Sequence, residues 1–98
     1  MALTTVSTHV LDTELGRPAA GVRVELFDAD GDLVGEGVTD ADGRIAELGD
    51  SSAGTYSIVF HPPSPFFKRV ELEVELGEGH SHVPLLIASY ACASYRGS

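Results

Sequence analysis

Apolar and polar residues alternate strictly between positions 70 and 76. Over Val70–Leu76 every valine or leucine is separated from the next by one glutamate. A period of two directs the apolar side chains to a core and the carboxylates to water, so the pattern predicts a half-buried strand of an antiparallel sheet. Segments 22–27 and 55–60 alternate in the same way and are also predicted to be strands.

Aspartate and glycine residues at 28–32 and 40–43 predict tight turns, because these residues tolerate positive φ or bond their own backbone. No apolar period of 3.6 residues persists for three turns. Strands are predicted at 4–11, 22–27, 33–38, 44–48, 55–60, 70–76, 81–88 and 90–95. We therefore expect an all-β fold with little or no helix, in which two packed antiparallel sheets have Greek-key-like connections.

The length of 98 residues predicts one domain over positions 1–98. A sandwich core of this size leaves no room for an internal substrate cavity, since protein interiors are close-packed. A site must then lie on an outer face or between subunits, which predicts an oligomer. Three prolines within residues 61–65 predict a rigid connection there rather than a helix or a strand.

The charge balance narrows the possible partners. Fifteen acidic residues against six basic ones give a formal net charge of -9, which argues against nucleic acid and anionic membranes. Cys92 is the only cysteine, so the chain has no intrachain disulfide and no Cys-x-x-Cys motif. No apolar run approaches a membrane span, and the first residues do not resemble a signal peptide, so we expect a cytoplasmic protein.

Strand alternation also assigns candidate chemistry to an outer face. In the first strand, His9 and Leu11 are predicted to point away from the core. In the strand 81–88, the residues predicted to do so are His82, Pro84 and Leu86, together with His80 just before the strand. The core face is predicted to hold Val6, Thr8, Val10, Val83, Leu85 and Ile87. If their strands are neighbours, His9, His82 and Tyr95 line one outward surface. Pro84 lacks a backbone donor and is expected at an edge or at a gap in strand pairing.

Two imidazoles beside an arginine suit the hydrolysis of an activated amide. Neutral histidine takes a proton from water near pH 7, and a second histidine orients that water or protonates the leaving nitrogen. A guanidinium stabilises the developing oxyanion. Arg44, which follows the turn at 40–43, is the candidate cation for this role.

Five short motifs carry a resemblance to a known family: THVLDT at 8–13, GRPA at 16–19, TDADGR at 39–44, HVPLL at 82–86 and YRGS at 95–98. Together they resemble the 5-hydroxyisourate hydrolases, the enzymatic branch of the transthyretin family. The HxHVPLL run and the YRGS ending separate these hydrolases from the hormone-carrying transthyretins, which resemble them in fold.

The resemblance implies a transthyretin-like sandwich that opens 5-hydroxyisourate with water, giving 2-oxo-4-hydroxy-4-carboxy-5-ureidoimidazoline in urate breakdown. It implies neither a metal nor another cofactor. It also implies a homotetramer with its sites at the interface between dimers. The expected catalytic residues are His9, Arg44 and His82. The expected substrate-binding residues are His9, Arg44, Tyr95, Arg96, Gly97 and Ser98.

Two other functions remain open. His80 and His82 lie two apart on a strand, so with His9 as a third ligand they could form the zinc site of a metal hydrolase. Alternatively, the chain is a non-enzymatic carrier or binding sandwich of transthyretin type. Chelation separates the first alternative from a metal-independent hydrolase, and a rate assay separates the second.

Overall fold

The computed structural model describes residues 3–97, and within them the chain forms ten strands and no helix. The strands are β1 (Thr4–Asp12), β2 (Arg17–Pro18), β3 (Arg23–Phe27), β4 (Leu33–Val38), β5 (Arg44–Ser51), β6 (Gly54–His61), β7 (Val70–Leu76), β8 (Gly79–His82), β9 (Leu85–Ile87) and β10 (Cys92–Ser94). The predicted all-β fold is confirmed. No helix in this part of the chain is long and apolar enough to cross a membrane.

One sheet has the order β4-β3-β6-β7, and every pair in it is antiparallel. Its alternation follows the sequence pattern, since Val24 and Leu26 are buried while the glutamates of β7 are exposed. The central pair is β3 with β6, where Val24 lies opposite Phe60. This sheet therefore contributes one apolar face to the core, as its period of two predicts.

The second sheet is built around β1. Strand β5 pairs antiparallel with β1 on one side, whereas β8 and β9 pair with it in parallel on the other. Strand β10 then pairs antiparallel with β9. The expectation of two wholly antiparallel sheets is thus corrected in this sheet, because the chain reaches β8 only after crossing from β7 of the other sheet.

The predicted strand 81–88 is divided into β8 and β9. Pro84 lies between them and has no N–H for the ladder, so the predicted gap in pairing is confirmed. Its predicted outward position is wrong: Pro84 is fully buried. Strand β1 satisfies the backbone groups at this break. The backbone carbonyl of Ser7 accepts a hydrogen bond from the Val83 N–H at 2.9 Å, and the Thr8 hydroxyl donates to the Val83 carbonyl at 2.7 Å.

Both sheets share one hydrophobic core, whose largest fully buried side chains include Phe60, Ile58 and Leu85. Strands β4 and β5, one from each sheet, come very close at Gly35 and Leu48. A Cβ added at Gly35 would lie 2.2 Å from the backbone oxygen of Leu48. Only glycine fits there, so this position fixes how the two sheets close on each other.

Candidate active site

The outer face of β5, β1 and β8 collects the candidate residues. His9 lies opposite Arg44 in the β1–β5 ladder, and Ser7 lies opposite His82 in the β1–β8 ladder. Directly opposed residues share a face of a sheet. His9, Arg44 and His82 therefore meet on one surface although they are far apart in the sequence. His80 lies two residues before His82 on β8, opposite Thr5.

The turn before β5 holds Arg44 beside β1. The Asp40 carboxylate accepts hydrogen bonds from the backbone N–H groups of Asp42 at 2.9 Å and Arg44 at 3.0 Å. Gly43 has a φ of 76°, and a Cβ there would lie 2.5 Å from the Val10 oxygen. The Asp-rich sequence thus builds a turn narrow enough to lie against β1.

This turn also determines which nitrogen of His9 is basic. The Nε2 atom of His9 lies 2.8 Å from the backbone oxygen of Asp42. A carbonyl can only accept, so Nε2 carries the hydrogen. In the neutral ring the lone pair is then on Nδ1, which is the nitrogen of His9 able to accept a proton.

His82 is held on two sides. Its Nδ1 lies 2.7 Å from the Ser7 hydroxyl, which leaves Nε2 as the ring nitrogen for a substrate or water. The Gly97 N–H donates to the His82 carbonyl at 2.7 Å, in an isolated antiparallel bridge. A Cβ at Gly97 would lie 2.6 Å from Cδ2 of the imidazole, so this glycine lets the chain terminus pass directly over the ring.

Burial lowers the pKa of His82 below the ordinary histidine value of 6.5, and the nearby His9, Arg44 and His80 lower it further. Partial burial disfavours the imidazolium, and an adjacent guanidinium disfavours a second positive charge. His82 is therefore a neutral base at pH 7. This supports the chemical role that its residue type suggested.

Arg44 is available to an external group. Across residues 3–97 the salt bridges involve Arg23, His61 and Arg69, and Arg44 is in none of them. Its side chain is exposed beside the two imidazoles. An arginine that is not neutralised by a carboxylate of the described chain can interact with an electron-rich ligand or a developing oxyanion.

The terminal motif is divided between two places. Gly97 contacts His82, but Tyr95 and Arg96 line a groove of about 480 Å³ whose floor is β7 and Val83. Within one chain Tyr95 lines this groove, and the expected common surface of His9, His82 and Tyr95 stays a prediction. Ser98, also predicted to bind substrate, lies outside the described residues.

The histidines make a poor metal site. Both ring nitrogens of His80 are hydrogen-bonded, Nδ1 to Thr5 at 2.7 Å and Nε2 to Ser7 at 2.8 Å. His9 and His82 each have one remaining nitrogen. Within residues 3–97 no three His, Cys, Asp or Glu side chains are arranged to hold a metal ion. Two free nitrogens fall short of the three or four ligands that zinc takes from proteins.

Sequence reasoning missed Thr5, Ser7 and the Asp42 carbonyl as parts of this surface. The signal for the first two was present, because positions 5, 7 and 9 of one strand share a face. The parallel pairing that brings β8 beside them could not be read from the chain. The contact made by the backbone carbonyl of Asp42 could not be predicted from residue type, because every residue has such a carbonyl.

The fold and the site together define a small all-β sandwich with two imidazoles and an arginine on one outer face. Residues 6–97 match the family model described as "HIUase/Transthyretin family". The chain is 41% identical to a 5-hydroxyisourate hydrolase of Deinococcus radiodurans, with 95% of each chain covered. The chain therefore belongs to the HIUase/Transthyretin family.

Solved structures give the same result. The 5-hydroxyisourate hydrolase of Klebsiella pneumoniae is 37% identical with a TM-score of 0.87, covering 97% of this chain and 99% of that one. Sea bream transthyretin in complex with thyroxine is 26% identical with a TM-score of 0.83, covering 94% of this chain and 93% of that one. The similarity in fold thus extends both to a hydrolase and to a thyroxine-bound transthyretin, so the fold alone does not distinguish their functions.

Proposed function

We propose that this protein hydrolyses 5-hydroxyisourate to 2-oxo-4-hydroxy-4-carboxy-5-ureidoimidazoline in urate breakdown, without a metal or another cofactor. The observation that carries the proposal is the convergence of His9, Arg44 and His82 on one outer face. The similarity to the hydrolases of Deinococcus radiodurans and Klebsiella pneumoniae names the substrate. The imidazole of His82, whose pKa is lowered, beside a guanidinium outside the salt bridges of the described residues suits hydrolysis.

In the proposed mechanism His82 Nε2 removes a proton from a water molecule that His9 Nδ1 orients by accepting its second hydrogen. The water oxygen attacks the ring carbonyl, and Arg44 stabilises the resulting oxyanion. The carbon–nitrogen bond of the ring then breaks, and the proton held by His82 passes to the leaving nitrogen. One water is consumed, and the enzyme returns to its starting state.

A homotetramer with sites between its dimers is part of the proposal. His9, Arg44 and His82 are not among the residues that line the groove beside β7. Small-ligand sites normally bury most of the ligand, so an exposed catalytic face requires a cover. A second copy is the cover we propose for this face. Within the described residues β7 and β10 are edge strands of their sheets, and an edge strand offers its backbone groups to a neighbouring copy, which supports association of this chain with itself.

The closing motif has two proposed roles. Gly97 allows close packing on His82 in its own subunit. Tyr95 and Arg96 complete the substrate pocket together with Ser98 when a neighbouring copy brings the exposed terminus to a shared crevice. No nucleic acid or membrane takes part in this proposal, and we expect the protein to act in the cytoplasm.

The test is an ultraviolet time course of freshly generated 5-hydroxyisourate with and without the protein. We expect the intermediate to disappear faster with the protein, and the rate to survive treatment with a chelator. Disappearance no faster than spontaneous decay, combined with saturable binding of a small aromatic ligand, would favour a carrier of transthyretin type. Loss of the rate on chelation, restored by zinc, would favour the metal hydrolase.

A further inference from the structure

A chain of side-chain hydrogen bonds continues from His82 away from the catalytic face. The Ser7 hydroxyl lies 2.7 Å from Nδ1 of His82 and 2.8 Å from Nε2 of His80. The Thr5 hydroxyl lies 2.7 Å from Nδ1 of His80. The parallel register of β1 and β8 produces this order, because Thr5 lies opposite His80 and Ser7 lies opposite His82.

Counting hydrogens allows only two arrangements when both rings are neutral. A hydroxyl donates one hydrogen, and a neutral imidazole carries one. If Ser7 donates to His82, then His80 donates from Nε2 to Ser7 and accepts from Thr5. If His82 donates from Nδ1 to Ser7, then Ser7 donates to His80 and His80 donates to Thr5.

The two arrangements give His82 opposite roles at Nε2. In the first, Nε2 carries the hydrogen and acts only as a donor. In the second, Nε2 has a lone pair and is able to take a proton from water. Reversing the direction of the chain exchanges these tautomers without changing the net charge, since each member gives one hydrogen and receives one.

We propose that Ser7 and His80 are positioning residues that fix the ring orientation of His82 and keep its Nε2 lone pair directed at the reacting water. This inference rests on the proposed hydrolase function. Ser7 is the residue that makes it possible, because its hydroxyl is largely buried between two imidazoles at hydrogen-bond distance from each. His80 acts through Ser7, and Thr5 closes the chain at the solvent side.

An ordinary surface histidine would not be arranged in this way. His80 is exposed, yet both of its ring nitrogens are bonded to side chains of β1 rather than left to water. Of the charged and titratable groups that act on His82, His9 lies on β1, Arg44 on β5 and His80 on β8. His80 is the one that connects to His82 through a shared hydroxyl.

The first test uses kinetics with Ser7→Ala, His80→Gln and the double variant. We expect each single change to lower kcat by ~10- to 10²-fold with KM nearly unchanged, because a misdirected base slows chemistry more than binding. The double variant should be no slower than Ser7→Ala, since both act through one contact. Ser7→Thr keeps a hydroxyl and should restore most of kcat. The matched control is Ser57→Ala, which removes a hydroxyl from β6 of the other sheet, opposite Glu73, and should not change kcat.

The second test does not depend on activity. Ring nitrogen NMR reports which nitrogen of His82 carries the hydrogen, and we expect Nδ1 in the wild-type protein and a shift toward Nε2 in Ser7→Ala. Identical His82 spectra in the wild-type protein and Ser7→Ala, or wild-type kcat in both single variants, would overturn the positioning role of Ser7 and His80 while leaving the hydrolase proposal intact. If the wild-type protein failed to accelerate hydrolysis but the His82 tautomer still shifted, the hydrogen-bond chain would stand and the proposed function would fall.

Discussion

At the scale of single residues, the properties of the site come from neighbours rather than from residue type. His9 has its basic nitrogen selected by a backbone carbonyl, and His82 has its charge suppressed by burial and by the cations around it. Strand alternation placed His9 and His82 on an outer face, and Arg44 was the candidate cation because it follows the turn at 40–43. The sequence could not identify the Ser7 contact, which depends on the pairing of β1 with β8.

The pKa of His82 should respond to the charge of Arg44. Because burial and adjacent positive charge hold it below 6.5, we expect Arg44→Gln to raise this pKa. The ring is neutral in the folded state at a pH where it is protonated in the unfolded chain, so its stabilising contribution is present above pH 6.5 and declines as pH falls below that value. Proton NMR titration of His82 in both proteins measures the shift. An unchanged or lower value in the variant would refute the electrostatic account.

Gly97 should tolerate no side chain over His82. Gly97→Ala would place a methyl group 2.6 Å from the imidazole Cδ2, so the ring or the terminus must move. We expect kcat/KM to fall by ~10- to 10²-fold. Gly54→Ala is the matched control, because a Cβ there meets nothing within 4 Å and its φ is not positive. Steady-state kinetics of the two variants should differ clearly, and equal activities would show that the ring does not need this contact.

At the scale of elements, alternation and turn chemistry predicted the strands well. The bounds of β4 and β7 agree with the prediction, and the Asp-rich turns fall where expected. The pairing partners of each strand were harder to predict from the sequence, because the parallel neighbours of β1 come from distant segments. Pro84 shows one success and one failure of the prediction. Its missing backbone donor predicted the gap in strand pairing, but strand alternation predicted an outward position and the residue is buried. The break in the strand interrupts the period of two on which that assignment relied.

The close approach of β4 and β5 should make Gly35 sensitive to substitution. A Cβ there would lie 2.2 Å from a backbone oxygen, which cannot move away as a flexible side chain would. We expect Gly35→Ala to lower the free energy of unfolding by ~1–3 kcal/mol, as overpacking does. Urea denaturation measures this change, again with Gly54→Ala as the control. Equal stability of the two variants would contradict the described packing.

At the scale of the whole molecule, the exposed face with His9, Arg44 and His82 and the separate groove at the terminus support the proposal that one chain is not the working unit. The size of the core predicted this from the sequence, since it excludes an internal cavity. Which faces meet could not be derived, because interface geometry depends on surfaces of two copies at once. The terminal motif shows the same limit, because in a single chain Tyr95 and Arg96 line the groove beside β7 and the copy that would complete a shared pocket with them is a proposal.

We expect the protein to be a tetramer of its 10.3 kDa chain. Light scattering after size exclusion gives the mass directly. Specific activity should fall when dilution dissociates the assembly, because the catalytic face then loses its cover. A monomer with full specific activity would remove the need for a second copy and for the proposed crevice.

The central claim is that His9, Arg44 and His82 together hydrolyse 5-hydroxyisourate. The most direct measurement is the ultraviolet decay rate of this substrate with His9→Ala, Arg44→Ala and His82→Ala, beside His61→Ala and Arg17→Ala as matched controls outside the site. We predict that each site variant is slower by at least ~10²-fold while folded, and that both controls retain the wild-type rate. Site variants as fast as the controls would contradict the account.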